Sequence, residues 1–271
     1  LECTFSDRSL TPVGYPTFYF RAPTAYVNIL LEGGVDFVTT ANNHFNDFGE
    51  KGVEDTYATL ENAGLPYGKV GQAQVVTTPS GIKMGIYCGF NASEGYFIPT
   101  TEECVSAINQ MKADGAEYIV MAFHWGKELY YKPSQKMIDL AQACIDAGAD
   151  LIYGTHPHVL GPVVEYNGGI IMYSVGNWSF GGNTQPTDQD TAIIQVTIKR
   201  DLDGSITTEG YDVIPCCVSS NMSGGAGYND YKPTPYPEDN EGYKRVLSKL
   251  DMNSGWENAT KDYSAWYGAW G

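Results

Sequence analysis

Positive charge is scarce in this chain: 16 Lys and Arg stand against 32 Asp and Glu, a formal net charge of −16 at pH 7. Tight nonspecific binding to nucleic acid or to anionic lipid needs a cationic surface that releases counterions, so no nucleic-acid partner is expected. The balance favours a self-repelling, soluble surface. Long apolar runs are also missing. No stretch of eighteen apolar residues occurs, and no basic segment precedes an apolar one, so the sequence shows neither a membrane span nor a signal peptide. Six cysteines (Cys3, Cys88, Cys104, Cys144, Cys216, Cys217) fall at no CxxC spacing, which leaves the redox compartment unread. No GxSxG motif is present, which argues against a serine hydrolase of the α/β-hydrolase kind. We find no internal repeat. The chain lacks an initiator methionine and begins at Leu1 and Glu2. We expect a fragment or processed product, with any anchor or export signal upstream.

Histidine is rarer still, and its placement is informative. The four are His44, His124, His156 and His158. Each locus follows a run that reads as a buried strand: Asp36 to Ala41 before Asn42, Asn43 and His44; Tyr118 to Phe123 before His124; Leu151 to Tyr153 before His156 and His158. In open α/β sheets ligands bind beyond the carboxyl ends of strands, so three such loops can converge on one site. Neutral imidazole is the commonest side-chain metal ligand, and Pro157 between two histidines fixes the backbone that presents them. Taken alone, an HxH pair equally describes a solvated surface loop.

The remaining pattern alternates strand and helix. Residues 1 to 25 read as loop, and a short helix runs from about Thr24 to Leu31. Val53, Tyr57 and Leu60 recur at helical spacing in Glu50 to Ala63, which Gly64 and Pro66 end. Ile82 to Phe90 reads as a strand. Thr100 with Glu103 forms a capping box for a helix to about Ala113. Tyr118 to Phe123 is the next strand. Ser134 opens a helix whose apolar face is Met137, Leu140, Ala141 and Cys144, stopped at Gly148. Then come Leu151 to Tyr153, Gly169 to Val175, and Thr191 to Lys199, the last turning at Asp203 and Gly204. Ser219 to Asn240 reads as an irregular excursion and Gly242 to Leu250 as a docking helix. Helices early and consecutive strands late predict one domain, residues 1–271, built as a layered α/β sandwich with a mixed sheet.

Four stretches, ANNHFNDFG (41 to 49), FHWGKE (123 to 128), GADLIYGTHPHV (148 to 159) and YSVGNWSF (173 to 180), resemble in order and spacing the motifs of the CapA family of poly-γ-glutamate capsule biosynthesis proteins. The resemblance covers most of the chain from Leu1 to about Phe180. It implies a calcineurin-like metallophosphoesterase fold, a layered α/β/β/α sandwich with mixed sheets and a two-metal site at the strand ends. It makes Asn43, His124 and His156 ligands of one ion and extends His158 to a second, with Glu2 as a bridge. His44 becomes the imidazole that faces substrate. Asp47 either accepts the other ring hydrogen of His44, fixing its tautomer, or caps the following helix. Glu128 and Asn177 are candidates for substrate or outer-shell contact, against a solvated charge and, more readily, a turn residue.

The chain departs from the family in starting after the position of its earliest acidic motif. We therefore expect at most one tightly held ion here. Imidazole, amide and carboxylate donors together suit Mn, Zn or Fe rather than Ca. The function implied is a role in capsule synthesis at the extracellular surface, with a metal-dependent, phosphoesterase-like hydrolase site acting on an anionic polymer or phosphoester. The alternative is a noncatalytic polymer-binding or assembly component of a membrane capsule complex.

Overall fold

The computed structural model describes residues 1–13, 18–180, 184–222 and 229–257. Two short strands, β1 (Thr4–Phe5) and β2 (Arg21–Ala22), pair in parallel near the start. A 3-10 turn leads into α1 (Val27–Glu32). β3 (Val38–Thr39), α2 (Gly49–Ala63) and β4 (Tyr67–Gly68) follow, with β4 parallel to β3. Next come β5 (Ala73–Thr77), β6 (Lys83–Gly89), α3 (Thr101–Ala113), β7 (Tyr118–His124), α4 (Gln135–Asp146) and β8 (Leu151–Thr155). The chain continues through β9 (Val163–Tyr166), β10 (Gly169–Met172), β11 (Asp190–Arg200), β12 (Ile206–Cys217), β13 (Thr234–Pro235) and α5 (Glu241–Leu250).

One six-stranded sheet, ordered β5-β6-β7-β8-β10-β9, positions everything else. Its four inner strands are parallel and the two edges antiparallel, the mixed α/β arrangement that the sequence predicts. The crossovers β6-α3-β7 and β7-α4-β8 step the same way across the sheet, so their common hand sets α3 and α4 side by side on one face. There Ile108, Met111, Leu140, Ala141 and Cys144 close over Ile119, Met121 and Ile152. The opposite face is covered by smaller sheets. Ile170 and Met172 pack against Ala192 and Cys217 of the β11-β12 hairpin, which α5 backs through Val246 and Leu250. Phe5, Val38 and Leu60 form a further cluster under α2. The layers therefore run helix, sheet, sheet, helix. Among the described residues no helix is long and apolar enough to cross a membrane.

Local chemistry sets the boundaries. Thr100 Oγ1 accepts the Glu103 amide while the Glu103 carboxylate accepts the Thr100 amide, the reciprocal capping box that starts α3. Ser134 caps α4, and Gly64, at φ 67°, ends α2 in the left-handed conformation. Gly154 in β8 has no room for a side chain: a β-carbon there would lie 2.2 Å from Tyr173 O and 2.7 Å from Met172 O, both backbone atoms of the neighbouring strand segment. Gly154→Ala should destabilise the fold by about 1–3 kcal/mol through overpacking. A denaturation midpoint equal to that of the wild type would refute this.

Several expected boundaries shift. The strand expected from Asp36 to Ala41 shrinks to Val38–Thr39 because its partner, Tyr67–Gly68, is two residues long. The ladder expected from Gly169 to Val175 stops at Met172, and Val175 instead bridges to Leu160. The loop-like first 25 residues contain β1 and β2. The excursion from Ser219 to Asn240 carries β13, and its residues 223–228 lie outside the described ones.

Candidate metal centre

The candidate site lies beyond the carboxyl ends of β3, β7 and β8. After β3 the chain turns through Asn42, whose side-chain oxygen accepts the His44 amide at 2.9 Å and whose side-chain nitrogen donates to Leu1 O at 2.8 Å. This turn aims Asn43 at the end of β7. Asn43 Oδ1 lies 2.7 Å from Nε2 of His124, a side chain buried to 2% exposure. Nδ1 of the same ring is 3.0 Å from Thr155 Oγ1, at the end of β8. The His124 and His156 ring centroids are 4.7 Å apart, and those of His156 and His158 are 6.0 Å apart.

The turn carrying His156 and His158 is strained. Both are non-glycine residues with positive φ, 95° and 58°. Such conformations are costly and concentrate at functional sites.

Glu2 reaches the cluster from the start of the chain. Its Oε1 is 3.8 Å from His124 Nδ1, and its Oε2 is buried with no hydrogen-bond partner among the described residues. A buried carboxylate oxygen without a donor is unusual unless something cationic accompanies it. His158 Nδ1 lies 2.8 Å from Asn177 Oδ1, and Asn177 Nδ2 donates to His158 O at 3.2 Å. Of the two expectations for Asn177, a turn residue or a contact, the less favoured one is what its place against the His158 ring matches. An amide oxygen only accepts, so Nδ1 of His158 is the donor in this contact and the ring is oriented through it.

His44 is held by Asp47, whose Oδ2 is 3.0 Å from His44 Nδ1 and also accepts the Phe20 amide at 2.8 Å. The Phe20 ring lies 4.5 Å from that of His44, the Phe180 ring 5.0 Å from that of His158, and the two phenylalanines 5.7 Å from each other. Phe97 packs on His156 at 4.9 Å. None of these three aromatics was singled out in the sequence, although Phe180 closes the fourth motif. Glu128 is half-buried in the loop after β7.

Burial, and then the neighbouring His156 and His158, hold the His124 imidazole well below its ordinary pKa. It is therefore neutral at physiological pH, the form that binds metal. Its two neutral tautomers have different consequences. If Nε2 carries the proton, it donates to Asn43 and nothing else is needed. If Nδ1 carries it, that nitrogen donates to Thr155, whose hydroxyl donates onward to Phe123 O at 3.2 Å. The lone pairs of His124 Nε2 and Asn43 Oδ1 then face each other, an arrangement that a cation between them relieves, as does a turn of the Asn43 amide that presents its nitrogen. An imidazole nitrogen, an amide oxygen and a carboxylate oxygen are donors that a divalent ion would accept, and His124, Asn43 and Glu2 supply them side by side. The donor set in this sense fits a divalent ion. As the side chains stand, however, no three His, Cys, Asp or Glu groups among the described residues surround a common position. An ion needs the Asn43 amide as a ligand, or a shift of a neighbouring imidazole.

A sequence profile described as "Bacterial capsule synthesis protein PGA_cap" matches residues 1–181, a span that holds every site residue from Glu2 to Phe180. The chain belongs to this family. It is 31% identical over 265 residues to the capsule biosynthesis protein CapA of Bacillus anthracis, covering 91% of this chain and 58% of that one. To the PGA biosynthesis protein CapA of Bacillus subtilis it is 29% identical over 252 residues, covering 85% and 61%. The PGA_cap chain described here thus spans about three fifths of the length of these curated relatives. Among solved structures, a phosphatase from Mycoplasma pneumoniae is 14% identical, with a TM-score of 0.47 over 70% of this chain and 75% of that one.

Proposed function

We propose that this PGA_cap chain works in the synthesis of an anionic capsule polymer at the cell surface, through a metal-dependent, phosphoesterase-like hydrolytic site. The observation that carries the reading is the Asn43–His124 contact beside a partnerless buried Glu2 oxygen, with two further imidazoles within reach. In this reading Asn43, His124 and His156 hold one divalent ion, of the Mn, Zn or Fe type, and His158 and Glu2 face a second position. A bound ion would supply a polarised water and neutralise charge on an oxygen of the substrate.

The protein's own residues do the rest. Asp47 accepts the Nδ1 hydrogen of His44, which leaves Nε2 as the nitrogen that exchanges a proton with the leaving group. Asn177 orients His158 in the same way. Phe20 and Phe180 cover the outer edges of His44 and His158 and restrict water there. The reaction class is attack of water on a phosphoester or amide of the polymer or its precursor. Net acidity opposes binding of an anionic chain, and a bound cation reverses that sign locally.

A second reading, a noncatalytic polymer-binding or assembly component, draws on the absence of a closed three-residue ligand cluster among the described residues. Elemental analysis of protein purified without added metal separates the two. Close to one equivalent of Mn, Zn or Fe per chain is expected. Metal-free protein that also fails to take up these ions would remove the enzymatic reading.

A further inference from the structure

The backbone of the His156-Pro157-His158 turn needs something to hold it, because two positive-φ residues persist only where their surroundings over-determine them. The support comes from the loop after β7. Leu129, itself at φ 63°, donates its amide to Pro157 O at 2.7 Å. Leu129, Tyr131 and the fully buried Val159 then pack as one cluster, clasping the turn from behind.

Tyr131 ties that clasp to the far end of the chain. Its hydroxyl donates to Asp188 Oδ2 at 2.9 Å, and Asp188 is held by Lys249 Nζ at 2.7 and 2.8 Å. The Lys249 ammonium also sits 5.2 Å from the Tyr131 ring centroid and 4.7 Å from that of Trp256. Asp188 and Lys249 lie beyond residue 181, where the family match ends.

From this geometry we infer that Tyr131 is a positioning residue for the candidate metal centre. Through its hydroxyl the buried Asp188–Lys249 pair, contributed by the C-terminal third of the chain, fixes the loop that holds His156 and His158 in their strained presentation. The inference rests on the metal-site reading only for its effect on affinity. The placement of the two rings does not depend on metal.

The test compares Tyr131→Phe with Tyr118→Phe, which deletes the hydroxyl of another buried tyrosine, bonded to Thr208 in the hairpin, at the other end of β7. In metal-stripped protein, the ring resonances of His156 and His158 should move in Tyr131→Phe and stay in place in Tyr118→Phe. By calorimetric titration with Mn or Zn at 25 °C, Tyr131→Phe should bind about 10- to 100-fold more weakly than wild type, the usual cost of an outer-shell partner, while Tyr118→Phe should match wild type. A purely structural role would lower the melting temperature of both variants and move neither readout. Unshifted ring resonances in Tyr131→Phe, or wild-type metal affinity despite shifted ones, would overturn the inference. If the wild type binds no metal, the metal-site reading fails, and the resonances alone decide this one.

Discussion

Methionine in place of Lys249 is expected to cost about 3–5 kcal/mol, equivalent to about 6–20 °C of melting temperature for a chain of this size. The lysine is 2% exposed and bonds Asp188 at 2.7 and 2.8 Å and Asp190 at 2.6 Å. Asp190 has other support: Arg245 holds it through two contacts of 2.6 Å and Tyr236 donates to it at 3.0 Å. Asp188 has less: among the described residues its hydrogen bonds without the ammonium are those from Tyr131 and the Asp190 amide, and its countercharge falls to Arg245, which already serves Asp190. Breaking one side of such a pair is far more costly than replacing both, so Asp188→Leu together with Lys249→Met should recover much of the loss. Burial raises the Asp190 pKa, but Arg245 and Lys249 outweigh it and the net shift is downward. The folded state thus binds its proton less readily than the unfolded chain. The stabilisation is present above the ordinary value of 3.8 and is lost as pH falls through the lower folded value. Calorimetric unfolding with Lys249→Met within about 1 kcal/mol of the wild type would show the network to be incidental.

That network was invisible in the sequence for a physical reason. Lys249 sits on a helix with an apolar stripe at Val246 and Leu250, and a lysine beside such a stripe ordinarily snorkels to water. Only the return of the β11-β12 hairpin over β9 and β10 buries it, and that is tertiary information. The central βαβ units were legible because period and punctuation agree there: Thr100 with Glu103, Ser134 and Gly148 all mark boundaries that the structure keeps. β4, β9 and β12 were not. The twelve residues of β12 include Gly210 and Pro215, which read as interruptions, and its register shifts opposite Thr197 and Ile198. Pairing with the long strand β11, rather than local propensity, holds it extended across these positions.

The candidate site divides along the same line. The residues proposed for the site, Glu2 apart, stand in short motifs after strands, so their types and positions could be read in order. What the motifs do not reveal is how the backbone is bent to present them. Left-handed φ at His156 and His158 is only faintly written in residue preference, since histidine adopts it more readily than most side chains but far less than glycine, and the proline between them limits its own angle. Phe20 is a similar case: it lies in a loop without period and meets His44 because Asp47 accepts its amide.

Separate readouts should distinguish a ligand from a proton donor among the four histidines. His156→Ala removes a proposed ligand beside the buried His124 and should lower both metal occupancy and melting temperature. An ion at 100 times its dissociation constant stabilises the folded state by about 2.7 kcal/mol, and that contribution disappears with the ligand. His44→Asn should leave occupancy near the wild-type level, because the Nδ1 edge of His44 faces Asp47 at 3.0 Å and its ring packs on Phe20 rather than on the other three imidazoles. Any hydrolysis of a phosphoester should nevertheless fall by about 100-fold or more, as happens when a positioned acid is lost. The two variants therefore exchange signatures, one losing metal and stability, the other losing turnover alone. Equal loss of metal in both would place His44 among the ligands and leave the protonation of the leaving group to another residue.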